Sequence, residues 1–107
     1  MVNLRPNCPL ARAADAIGDR WSLLIIRNLH LDGPQRFQEL SRALAPISPT
    51  TLSARLKALE DHGLVERRVV DTHPPRTSYA LTEAGKAVQP VMQALFRFGE
   101  TLPPNDR

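Results

Sequence analysis

The sequence predicts a mainly α-helical fold carrying one small β-hairpin. Three observations predict it. Apolar residues recur every three or four positions in five segments, the spacing of helices with one buried face. Four of these segments open on a capping signal: Cys8-Pro9, Asp19, Ser48-Pro49 and Thr82. Finally, the valine-rich run Leu64 to Val70 is parted from Thr77 to Leu81 by a proline-bearing stretch, Asp71 to Arg76, the pattern of two strands and a turn.

Taken in order, Pro9 suits a first helical position, with Cys8 as N-cap, and Gly18 is a stop near Ile17. Leu10, Ala13, Ala14 and Ile17 share a face. Asp19 caps a second helix, Arg20 to about His30, whose buried side is Trp21, Leu24, Ile25 and Leu29. Arg36-Phe37 is extended, and Phe37, Leu40 and Leu44 mark a short third helix. Ser48 caps the fourth helix, about 48–62, with Pro49 first and Ile47 placed to staple onto Leu52. Leu52, Leu56 and Leu59 form its core stripe, and Gly63 is free to end it left-handed. Asp71-Thr72-His73-Pro74-Pro75-Arg76 reads as a turn, because prolines do not sit inside central strands. Thr82 caps a last helix to about Glu100, kinked by Pro90, which has no N–H to donate. A helix-turn-helix followed by a hairpin is the winged-helix arrangement.

With 107 residues, one domain over 1–107 is expected, its core about 8–100 and its tail 101–107 frayed. The formal charge of +3 permits nucleic-acid binding without proving it. One cysteine, Cys8, excludes an intrachain disulfide, and the histidines His30, His62 and His73 have no ligand spacing, so neither metal nor cofactor is expected. The N-terminus lacks a long apolar stretch and no run approaches membrane-spanning length, which points to a cytoplasmic protein. No nucleophile elbow, phosphate loop or carboxylate cluster is present, and Asp15 and Asp19 read as surface and cap, so no enzyme is expected.

On a helical wheel, Leu52, Leu56 and Leu59 fall within about 60° of one another, with Thr50, Ala54 and Lys57 nearly opposite and Ser53 and Thr51 on the shoulders. Such a face suits the DNA major groove. Small residues admit close approach, hydroxyls bond base edges, and a lysine reaches phosphate. Glu60 and Asp61 stand at the far end, out of the groove. Arg76, beside the stiff Pro74-Pro75, suits minor-groove or phosphate contact from a wing over 71–76, and Arg36 is a weaker phosphate candidate. Arg67 and Arg68 point to opposite faces of a strand, so at most one can face DNA. The candidate DNA-contacting set is therefore Arg36, Ser48, Pro49, Thr50, Thr51, Ser53, Ala54, Lys57 and Arg76. The alternative is a winged-helix module that binds protein and not DNA.

CPLARAADAIGDRW (8–21), the RF-x-EL of Arg36 to Leu40, the spaced leucines of Ile47 to Leu59, DHGL (61–64) and PPR-x-x-Y-x-LT-x-x-G (74–85) occur in that order. The ordered set resembles the HxlR-type winged helix-turn-helix transcription regulators, relatives of the MarR group, over Cys8 to about Glu100. The resemblance implies a homodimer that binds operator DNA, most often as a repressor, and dimerises through its first and last helices. Two departures are visible: Ser78 stands where the family commonly has an acid before the wing tyrosine, and Ala54 replaces a longer polar residue. The apolar stripes of Leu10 to Ile17 and Val88 to Phe98 support pairing independently, since a small domain does not readily bury both. Some members of the family use a cysteine at the place of Cys8 to sense oxidants or electrophiles. The positive end of a helix dipole, with Arg12 one turn on, favours negative charge there. Cys8 is therefore a candidate redox sensor, and an oxidant or a small-molecule effector a candidate partner.

Overall fold

The computed structural model describes residues 8–72 and 75–104. Helix α1 (Pro9–Ile17) and helix α2 (Arg20–Asp32) precede a short strand β1 (Gln35–Arg36), helix α3 (Phe37–Ala43) and helix α4 (Pro49–Asp61). Strands β2 (Val65–Thr72) and β3 (Pro75–Leu81) follow, then α5 (Glu83–Lys86) and α6 (Gln89–Glu100). The strands form one antiparallel sheet in the order β1-β3-β2.

Several elements differ from the sequence reading for identifiable reasons. Asp71, Thr72, Pro75 and Arg76 belong to the strands, with Asp71 paired to Arg76 and Thr72 to Pro75. Pro75 is tolerated there because it is the first residue of its strand, and the pairing shifts between Val69 and Asp71. Of the predicted turn, His73 and Pro74 lie outside the described residues. Extended backbone covers Gln35–Arg36, and Phe37 already opens α3, since the Glu39 carboxylate accepts the Arg36 N–H at 2.8 Å. On α2 the buried side is Ser22, Ile25, Ile26, Asn28 and Leu29, while Trp21 and Leu24 are only half-buried.

The last helix is broken and not merely kinked. A helix running through Pro90 would lose a hydrogen bond and crowd the carbonyl one turn back. The chain instead interrupts at Ala87–Val88 and restarts, so that Pro90 falls in the first turn of α6, where no N–H is needed. At its far end, Thr101 and Leu102 hydrogen-bond back to Phe98 and Gly99. Of the tail 101–107 expected to fray, residues 105–107 lie outside the described residues.

The core is assembled from Ile25, Ile26 and Leu29 of α2, Leu40 of α3, Leu52, Leu56 and Leu59 of α4, and Val65 and Leu81 of the sheet. Ile47 is buried at the entry to α4, as a staple onto Leu52 requires. Past α4, Gly63 takes the left-handed conformation (φ 76°) that glycine adopts without a Cβ penalty. Leu64 then ties several elements. Its N–H donates to Leu59 O at 2.9 Å, and its carbonyl accepts from Thr82 N at 3.0 Å. The Thr82 hydroxyl donates to Gly63 O at 2.6 Å and caps α5 through Gly85 N at 3.1 Å. Gly85 packs so closely on this corner that a Cβ would strike the Leu64 carbonyl.

Candidate nucleic-acid interface

Local rules set the start of α4. Ser48 Oγ accepts the Thr51 N–H at 3.1 Å and donates to Thr51 Oγ1 at 2.9 Å, satisfying one of the free donors of the first turn. Pro49 follows where a missing N–H costs nothing. Leu52, Leu56 and Leu59 are at most 1% exposed, which fixes the rotation of the helix and turns Thr50, Ser53, Ala54 and Lys57 to the surface. These four line one open groove with Pro49 and Phe37. Phe37 was not among the sequence candidates. Its place at the head of the helix before the turn was the available signal, but apolar periodicity assigned it to the core.

Ser48 and Thr51 are thus engaged in the cap, whereas Thr50 and Ser53 keep their hydroxyls for another partner. Lys57 Nζ lies 3.0 Å from Asp61 Oδ1. An exposed pair one turn apart contributes only about 0.3–0.5 kcal/mol, so a phosphate can displace it. Glu60, by contrast, faces the sheet and holds Arg67 Nε at 3.2 Å. Arg68 Nη2 pairs with Glu66 at 2.8 Å, an exposed pair like that of Lys57 and Asp61.

The two remaining basic candidates come together across the sheet. Arg36 of β1 is the register partner of Ser78 on β3, and Arg76 lies two residues before Ser78. Residues so related share one face of a sheet. Arg36 and Arg76 line a cavity of about 240 Å³ with Pro34, Glu39 and Ser78. Among the described residues neither guanidinium has a hydrogen-bond or ion-pair partner. The sequence candidates therefore fall into two clusters: the face of α4, and this arginine pair at the root of the wing.

Two titratable groups brace the scaffold behind these clusters. Burial opposes ionisation of Asp19, yet hydrogen bonds from the Ser22 hydroxyl (2.6 Å) and amide (2.9 Å), together with Arg55 of α4, hold its carboxyl below the ordinary value of 3.8. Arg55 Nη1 is 3.5 Å from Asp19, which ties α4 to the start of α2. Burial, aided by the negative charge of Glu60, raises the Tyr79 phenol above 10.0.

Residues 16–106 match the family of HxlR-like helix-turn-helix proteins. The chain belongs to this family. Among its relatives, the transcriptional regulator YodB of Bacillus subtilis is 43% identical over 89 residues, spanning 82% of this chain and 79% of that protein. The regulator sll1512 of Synechocystis is 39% identical over 92 residues, 86% of this chain and 67% of its own length. The solved structure of the redox regulator HypR in its oxidised form superposes with a TM-score of 0.82 at 32% identity, covering 92% of this chain and all of that one (100%). The winged-helix arrangement expected from the order of elements is thus the family's fold, and the function is that of DNA-binding transcription regulators and not of enzymes. Among the described residues, no helix is long and apolar enough to cross a membrane.

Proposed function

We propose that the protein is a cytoplasmic repressor that binds a pseudo-palindromic operator as a homodimer. In this reading α4 enters the major groove, and the wing around 71–76 lies on the minor groove or the phosphates. The observation that carries it is the small, exposed surface of Thr50, Ser53 and Ala54, held outward by three buried leucines on the same helix. Pro49 and Ala54 allow close approach, Thr50 and Ser53 read base edges, and Lys57 takes a phosphate once released from Asp61. Ser48 and Thr51 add contacts at the positive end of the helix, where backbone N–H groups favour an anion.

Dimerisation is supported by what the monomer leaves uncovered. Helix α6 buries none of its residues. Phe96 (69%), Phe98 (60%) and Leu10 of α1 (76%) are largely exposed. A largely apolar cleft of about 340 Å³ between α2 and α6 continues this surface. Apolar patches of this kind on a soluble chain mark an interface, and a second copy covers both helices at once.

Cys8 sits half-buried at the head of α1, its carbonyl accepting from Arg12 N at 3.0 Å. HypR is a redox regulator solved in oxidised and reduced forms, and YodB was solved reduced and diamide-treated. By that likeness we assign Cys8 an oxidant-sensing role, transmitted through the dimerising helices to the spacing of the two α4 helices.

The test is selection of bound sequences from a random duplex pool, with sizing of the free protein. The expected result is a two-fold-related site with half-sites about one helical turn apart and a dimer at micromolar concentration. A stable monomer that binds a single half-site tightly would refute it.

A further inference from the structure

We propose that Arg36 and Arg76 grip one and the same backbone phosphate of bound DNA, in a seat floored by Ser78. This rests on the docking proposed above. Arg36 and Ser78 are directly paired across β1 and β3, so their Cβ atoms are roughly 4.5–5.5 Å apart, and Arg76 stands on the adjoining diagonal at roughly 7–8 Å. Two cations at that separation repel one another unless an anion lies between them. Among the described residues no acid forms an ion pair with either guanidinium: Glu39, which also lines the cavity, accepts the Arg36 N–H, and Glu66 pairs with Arg68.

The floor decides the chemistry. Ser78 is 5% exposed, and its Oγ has no partner among the described residues. A carboxylate at this position would stand across the strands from Arg36 and two residues from Arg76, within reach of both. Serine adds no counter-charge and leaves the space above it open. The cavity, about 240 Å³ and open to solvent, has room for a phosphate group. Guanidinium forks are suited to phosphate oxygens. Because the seat joins β1, just before the helix-turn-helix, to the wing strand β3, one phosphate bound there fixes the register of both on the duplex.

The experiment measures affinity of the full chain for a selected operator and for an unrelated duplex across a series of salt concentrations. The variants are Arg36→Ala, Arg76→Ala and the double substitution. Each single change is expected to weaken both duplexes alike, by roughly tenfold. The double variant should lose less than the product of the single losses, and its salt slope should fall by about 0.9, the value for one phosphate. Multiplied losses with a fall of about 1.8 would mean two separate phosphates and overturn the shared seat, as would unchanged binding in both single variants. Ser78→Asp, which supplies an internal counter-ion, should match the double variant. If Ser78→Asp does not fold, the arginine pair alone decides. If the parent chain shows no salt-dependent duplex binding, the docking reading falls together with the seat; retained binding with additive arginine losses removes the seat alone.

Discussion

Asp19 offers a stability test that can be worked from the coordinates. It caps α2 by accepting from Ser22 N, holds the Ser22 hydroxyl at 2.6 Å, and pairs with Arg55 of α4 at 3.5 Å. Asp19→Ala removes the cap, at a cost of about 1 kcal/mol. It also leaves the Ser22 hydroxyl, 1% exposed, without its acceptor, a further cost of about 1–3 kcal/mol. The Arg55 pair is partly exposed and adds little. The expected loss is on the order of 2–4 kcal/mol, or roughly 10–30 °C in melting temperature for a domain of this size. Asp19→Asn keeps an acceptor for Ser22 N and should cost less than the alanine change. The pH dependence has a definite sign. A carboxyl whose folded pKa lies below its ordinary value of 3.8 stabilises the fold above that pH, and the benefit is lost as pH falls through the folded value. Urea melts followed by circular dichroism at neutral and acid pH give the answer. Wild type and Asp19→Asn should differ near pH 7 and converge on acidification below pH 3.8. An alanine variant within about 0.5 kcal/mol of wild type, or a difference that persists in acid, would refute the reasoning.

Lys57→Ala should weaken all duplexes alike and lower the salt slope by roughly one phosphate, while Thr50 and Ser53 substitutions should change which sequence is preferred; an equal, sequence-blind loss from all three would reverse these assignments. Phe96→Asp should convert the dimer to monomer in sizing experiments and weaken operator binding while the helical spectrum is retained; a dimer of unchanged size would place the interface elsewhere. For Cys8, operator binding of wild type and Cys8→Ser is compared after mild oxidation: release from DNA by wild type alone is expected, and the same response in both proteins would leave Cys8 a packing residue.

The face of α4 was legible because local rules govern it. Ser48, Pro49, the leucine spacing and Gly63 each act within a few residues, and together they determine start, rotation and end. Lys57 was placed on the correct face, yet its tie to Asp61 was not foreseen, because a charge pattern alone does not reveal which of two partners an exposed amine holds. Extended backbone at Arg36 is expected from the sequence, but its pairing with β3 and the meeting of Arg36 with Arg76 are not, for a different reason. Gln35 and Arg36 pair with Tyr79 and Ser78, far along the chain, and no periodicity within either segment encodes that register. The break at Val88 lies between the two cases: Pro90 forecast a disturbance, but only the packing of Val88 into the core decides that the chain restarts its helix and does not bend it.

The corner at Leu64 bears on how the protein tells one duplex from another. The end of α4, both roots of the hairpin and the start of α5 are joined there through the bonds of Leu64 and Thr82, with Glu60–Arg67 as a second strut. Helix and wing are thereby braced as one body. On the proposed docking, the distance from the major-groove helix to the wing behaves as a fixed gauge. A gauge cannot adjust to the duplex, so the duplex must adjust to it. Sequences that twist or narrow easily between those two points meet it at low deformation cost, and stiff ones do not. Part of the operator's identity would then reside in base pairs that no side chain touches.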